Sequence, residues 1–159
     1  MKLENIIFDE IEIGYNVSVV RTVTTSDVLG FAALTGDYNP VHLNEAYAKQ
    51  TRFHGVVAHG MWTAAQISAV IGTRLPGPGS IYLSQDLKFV APVKVGDEIT
   101  TKITVIDKDM NHGIVTLDCQ CTNQNKQEVV FGIASVLAPK EKQFVEVIEP
   151  TVKVFEKIS

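Results

Sequence analysis

The sequence predicts an α+β fold in which a curved antiparallel sheet wraps a central buried helix. Residues 60–74 are apolar in nearly every helical direction (Met61, Trp62, Ala64, Ala65, Ile67, Ala69, Val70, Ile71), so that helix has to be covered all round. Everything after the Pro76-Gly77-Pro78-Gly79 break alternates apolar and polar residues with period two, the pattern of half-buried strands. Ahead of the helix stand one β-branched segment and two stretches with helix start and stop signals.

Taken in order, Val17 to Thr24 reads as a strand, and Thr25 or Ser26 caps a short helix that runs to about Leu34 and stops at Gly36. Asn39 followed by Pro40 starts another, with the Asn side chain capping and Pro at the first helical position, through Glu45 to about Lys49. An irregular stretch, Thr51 to His59, leads into the apolar helix, which the Pro-Gly run ends. Four strands follow, carried by Ile81, Leu83, Leu87 and Phe89; by Ile99, Thr101, Ile103 and Val105; by Val115, Leu117, Cys119 and Cys121; and by Val129, Phe131, Ile133 and Leu137. Turn residues separate them at Pro92 to Asp97, Asn111 to Gly113 and Asn123 to Lys126, so short antiparallel connections are expected. A sheet this small keeps an open edge, and a dimer or a larger homo-oligomer built of dimers is expected.

A length of 159 residues fits one domain, 1–159, in which 139–159 is mixed and weakly patterned, compatible with a linker remnant or a folded extension. The 14 Lys and Arg against 18 Asp and Glu leave a net charge of -4, which repels a phosphate backbone and argues against nucleic acid as a partner. The first residues are acidic where a signal peptide carries positive charge, and no stretch approaches the roughly 20 apolar residues of a membrane span. A soluble cytoplasmic protein with no membrane partner is expected. Cys119 and Cys121 share one strand face but sit too far apart for an unstrained disulfide, so they read as reduced core thiols. Structural zinc wants four ligands and no second Cys or His pair stands near them, so no metal is expected.

The densest cluster of reactive side chains is Thr35-Gly36-Asp37-Tyr38-Asn39-Pro40-Val41-His42, where a loop enters a helix. His42 falls near the first turn, where the helix dipole disfavours the imidazolium and keeps the ring able to accept a proton. Asp37 can point its carboxylate into the same space, giving two proton-handling groups of different pKa, as adding water across a bond requires. On spacing alone the same residues also serve as turn and cap chemistry. A second site lies at His59-Gly60, where the free N–H groups of the helix start can hold an oxygen that gains negative charge. Ser68 lies about two turns further on. The plain alternatives are that Gly60 relieves crowding and that Ser68 bonds back to a helical carbonyl.

Together, Phe31 to His42, then Val57-Ala58-His59-Gly60-Met61, then Gly79-Ser80-Ile81-Tyr82-Leu83, resemble the MaoC-like (R)-specific enoyl-CoA hydratases, over about Asp9 to Ala138. Leu75 to Gly79 and Cys119 to Asn125 look most like the hydratase part of bifunctional hydratase/phosphate acyltransferase proteins, whose second activity is not expected in a chain that stops at Ser159. The resemblance implies a hot-dog fold, a homodimer whose sheets join edge to edge, and an acyl tunnel beside the central helix. It implies that Asp37 and His42 hold and activate the water, that Asn39 orients that site, and that the Gly60 N–H receives the thioester oxygen. Ser68 would help shape the site and Ile71 line the tunnel. The implied reaction is reversible hydration of a trans-2-enoyl-CoA to the (R)-3-hydroxyacyl-CoA, with coenzyme A part of the substrate and no cofactor. The rivals are an acyl-CoA thioesterase on the same fold, identified by thiol release, and a non-catalytic acyl-CoA-binding module, identified by binding without product.

Overall fold

The computed structural model describes residues 1–150 of the chain, and capping chemistry sets the boundaries of its first helices. The Thr24 side chain accepts from the Asp27 N–H while the Asp27 carboxylate accepts from the Thr24 N–H, so α1 (Thr25–Thr35) is capped one residue earlier than expected. Gly36 closes α1 in the left-handed region, at φ 75°, with its N–H on the Ala32 carbonyl. The single helix expected over 39–49 is two short pieces, α2 (Pro40–Leu43) and α3 (Glu45–Lys49). Asn44 leaves helical geometry between them and uses its side chain to cap Tyr47 N–H, the behaviour that makes Asn a poor interior helix residue.

A five-stranded antiparallel sheet takes the order β2 (Asn16–Thr22), β4 (Glu98–Asp109), β5 (Ile114–Thr122), β6 (Glu128–Leu137), β3 (Ile81–Phe89). The four strands after the Pro-Gly break are present, but the connections correct the expectation of short links throughout. β3 pairs with β6, so the Pro92 to Asp97 stretch is a crossover rather than a hairpin. Its far end is drawn to β2, because Val23 donates to the Asp97 carbonyl at 2.9 Å and Gly96 donates to the Val23 carbonyl at 2.8 Å. At the other edge, Gly132 of β6 comes so close to β3 that any Cβ there would overlap the Asp86 carbonyl, which makes glycine a requirement of the pairing.

The helix α4 (Gly60–Thr73) lies against β2, β3 and β4. Ile67, Val70 and Ile71 join Ile103, Leu117 and Cys119 in one core cluster. The expectation that α4 is covered all round is wrong for the single chain. Met61, Ala65, Ser68, Ala69 and Gly72 recur at helical spacing and are exposed, because the sheet covers only one side of the helix. Ile81 and Leu83, on the edge strand β3, are about half exposed as well.

Two three-residue strands, β1 (Lys2–Glu4) and β7 (Phe144–Glu146), pair antiparallel and tie part of the tail to the N-terminus. Neither is long enough to show a period. Buried Asn5 fastens them, its Nδ2 donating to the Pro78 and Glu141 carbonyls and its Oδ1 accepting from Gln143 N–H. Residues 151–159 of the expected extension lie outside the described residues. Among the described residues no helix is long and apolar enough to cross a membrane.

Cys119 and Cys121 are free and buried, as expected. Burial, aided by the Asp118 charge, pushes the Cys119 thiol up to about 12, and burial pushes Cys121 up to about 11. The folded chain thus holds both thiols neutral where the unfolded chain, near 9.0, begins to ionise. Their contribution to stability is complete below that value and is lost as pH rises towards 11 to 12. At pH 8 an aromatic disulfide reagent should therefore label neither thiol in the native protein and both in denaturant. Above pH 9 the urea midpoint should fall more steeply for the parent than for a Cys119→Val, Cys121→Val variant.

Candidate active site

The loop after α1 is folded by its own side chains. Asp37 Oδ1 accepts from Asn39 N–H at 3.2 Å, and Asn39 Oδ1 accepts from Val41 N–H at 3.3 Å, which caps α2. Both residues thus do the turn and cap chemistry that spacing allowed, and they deliver His42 on a helix one turn long. Its Nδ1 lies 2.7 Å from the Val57 carbonyl oxygen, in the segment leading to α4. A carbonyl only accepts, so Nδ1 carries the hydrogen and Nε2 is the free ring nitrogen. A helix of four residues carries little macrodipole, and what holds the His42 ring in its orientation and tautomer is this hydrogen bond.

A second imidazole completes the arrangement. His59, the residue before α4, is 2% exposed, and its Nε2 lies 3.0 Å from the Asp37 backbone carbonyl. By the same reasoning Nε2 donates, and the buried Nδ1 has no partner among the described residues. Its ring lies on that of His42, centroids 3.8 Å apart and planes 30° from parallel, with Phe31 5.0 Å away. One donor atom each from Asp37, His42 and His59 falls within 4.8 Å of the others. In the sequence His59 marks the start of α4 without a role of its own. The available signal was a histidine at a cap position where a short oxygen-bearing side chain is usual. Two imidazoles and a carboxylate are also donor types that transition metals accept, although His42 and His59 each commit one ring nitrogen to a backbone carbonyl.

Gly60 opens α4, so no helical carbonyl stands four residues behind to take its N–H. It lines a cavity of about 400 Å³ together with Asn39, His42, Arg52, Thr63 and Phe89. The Phe89 ring rests on its Cα: a Cβ would come 3.1 Å from Phe89 Cδ1, tight enough that the ring would have to yield. Thr63, one turn on, has a buried hydroxyl with no partner among the described residues.

The remaining expected site residues lie elsewhere. Ser68 is exposed and lines a second cavity of about 480 Å³ with Phe31, Met61, Tyr82, Ser84 and Gln85, apart from the one that holds His42. Ile71 is 2% exposed within the core cluster and borders neither of these two cavities. The α4 residues that do reach the second cavity, Met61, Ala64, Ala65 and Ser68, are on or beside the helix's open face.

The chain is similar to several known proteins. The MaoC like domain matches residues 9–127. A 3-hydroxybutyryl-CoA dehydratase from Methylorubrum extorquens is 42% identical over 142 residues, 89% of this chain and 90% of that one. An (R)-specific enoyl-CoA hydratase from Rhodospirillum rubrum is 46% identical over 132 residues, 83% of this chain and 91% of that one. The solved structure of the R-hydratase PhaJ1 from Pseudomonas aeruginosa, in its unliganded form, superposes with a TM-score of 0.92 at 41% identity, covering 98% of this chain and 100% of that chain. The fold is the hot-dog fold of these neighbours.

The hydrogen bonds fix opposite ring tautomers in adjacent histidines. Nitrogen NMR at neutral pH should give one histidine protonated at Nδ1 and another at Nε2, and His59→Ala should broaden or shift the His42 signals. The same Nε2–H form in both rings would contradict the assignment.

Proposed function

The chain belongs to the MaoC-like domain family, and we propose that it is an (R)-specific enoyl-CoA hydratase, a hydro-lyase that adds water reversibly to a trans-2-enoyl-CoA. The observation that supports this most directly is the placing of the Asp37 carboxylate and His42 within 4.8 Å of each other, with Gly60 bordering the cavity that His42 lines.

In this reading one water lies between the Asp37 carboxylate and His42 Nε2. As its oxygen bonds to the β-carbon, this pair takes a proton from it, and the π electrons of the double bond move towards the thioester carbonyl. The Gly60 N–H receives the oxygen that gains the charge. Return of a proton to the α-carbon then completes the (R)-3-hydroxyacyl-CoA, and every atom of the water is accounted for. Asn39 fixes the loop that carries Asp37. The thioester itself activates the β-carbon, so the reaction as written calls for no cofactor. Free buried thiols fit a cytoplasmic location. The finer resemblance of Leu75 to Gly79 and Cys119 to Asn125 to the hydratase part of bifunctional proteins rests on those two segments.

A homodimer is part of the same proposal. It is supported by the open α4 face, by the edge of β3 that has no strand partner among the described residues, and by Ile81 and Leu83 exposed along that strand. Ser68 and the second cavity lie on this face. Sedimentation should give twice the 17.4 kDa of the chain, and Leu83→Lys should shift it towards the monomer.

Activity is tested by loss of the conjugated-thioester absorbance of crotonyl-CoA. Asp37→Asn and His42→Ala should each lower kcat/KM by roughly 10²-fold or more. The Gly60 donor is isolated by a pair of variants. Gly60→Ala brings a Cβ against Phe89 but keeps the N–H, whereas Gly60→Pro adds similar crowding and removes it. Proline suits the first helical position, and His59 already has the extended geometry that a following proline needs, at φ -60° and ψ 134°. Gly60→Pro should fall below Gly60→Ala by roughly 10²- to 10³-fold in kcat. Equal rates would remove the oxyanion role, and release of free thiol from saturated acyl-CoA without hydration would make the protein a thioesterase.

A further inference from the structure

We propose that Arg52 binds the phosphate-bearing end of the coenzyme A moiety and so makes the site selective for CoA thioesters over phosphate-free ones. This rests on the hydratase reading above. The cavity that holds His42 and Gly60 is lined mostly by apolar groups, and Arg52 is its one permanently charged side chain. Among the described residues no carboxylate lies within ion-pair distance of that guanidinium and it donates no hydrogen bond, whereas Arg21 is paired with Asp27. All five guanidinium N–H groups are therefore open to a ligand, in the planar fork that fits phosphate oxygens.

The side chain also rests by an aromatic ring, on a turn fixed by its own hydrogen bonds. Its guanidinium carbon lies 5.2 Å from the Phe53 ring centroid. The turn beneath is fastened by Thr51, whose hydroxyl donates to the Ala48 carbonyl at 2.7 Å and accepts from Phe53 N–H at 3.3 Å. His54 N–H donates back to the Thr51 carbonyl at 3.1 Å, with His54 itself in the left-handed region at φ 53°. Arg52 is exposed, so its charge meets an approaching anion without prior desolvation. A chain of net charge -4 repels a polyanionic substrate as a whole, and an unpaired cation on the wall of the reacting cavity reverses that locally.

The test measures kcat and KM of the parent, Arg52→Ala and Arg52→Lys with crotonyl-CoA, crotonyl-3'-dephospho-CoA and crotonyl-pantetheine. Arg52→Ala should raise KM for crotonyl-CoA about tenfold, with most of kcat kept, and Arg52→Lys should recover part of the loss. The difference between parent and Arg52→Ala should vanish with crotonyl-pantetheine, which lacks phosphate. A defect that persists with the dephospho substrate places the contact on the pyrophosphate, and one that disappears places it on the 3'-phosphate. An unchanged KM for crotonyl-CoA, or the same rise with crotonyl-pantetheine, would overturn the assignment. If the parent turns over none of the three, the hydratase reading fails instead. Calorimetric binding of free CoA to parent and Arg52→Ala then decides the arginine question separately, equal affinities counting against it.

Discussion

Two segments are joined by an exchange of imidazoles whose bonds span 15 and 22 residues of the chain. His42, on the short helix after the Asp37 loop, donates to a carbonyl just ahead of α4, and His59, at the start of α4, donates to a carbonyl in that loop. Each segment supplies one donor and one acceptor, and the two rings stack where the bonds cross. Backbone carbonyls in a closed space need partners. Here each partner is a ring whose remaining nitrogen is left for something else. The relative position of Asp37, His42 and the Gly60 N–H follows from this exchange, because a shift of either segment strands a buried donor and a buried acceptor together.

The exchange also explains why so little regular structure is needed around the site. α2 and α3 are single turns that would not persist alone in water, and they are held by Asn caps and by tertiary contact. Against them stands a long helix buried on one side in the sheet. The short capped turns are thus fastened to a 14-residue helix packed into the core, the kind of support that the proposed positioning of a water and an oxyanion donor calls for. His59 Nδ1 and Thr63 Oγ1, both buried next to this region, have no partner among the described residues.

The sequence made the strands after the Pro-Gly break legible, since period-two alternation in four successive segments admits few other readings. The apolar helix was equally plain. What alternation does not encode is which strands are neighbours: β3 and β4 are consecutive in sequence but are paired to different partners, and that choice rests on backbone bonds at Val23 and Gly96 and on the bare Cα of Gly132. An all-apolar helix reads as covered on every side, yet small residues such as Ala65, Ser68 and Gly72 also suit a face left open by one chain. The Asp37 and His42 pairing was visible as a loop meeting a helix. His59 was legible only as a histidine in a cap position, and its pairing with the Asp37 carbonyl 22 residues away was not. Ile71 lies with Ile67 in the core, as the periodicity of α4 requires.

Gly132 ties the sheet to the chemistry. Its missing side chain lets β6 close on Asp86 of β3, and three residues further along the same strand Phe89 lies on the Cα of Gly60. The two glycines belong to different elements and never touch, but they are linked through the path of one strand. A lineage that acquired a side chain at 132 would have to let β3 drift outward, carrying Phe89 off the helix start and opening a gap there. Natural variation should therefore treat the two positions as a unit, with any bulk accepted at one answered by a change at the other or by a smaller ring between them.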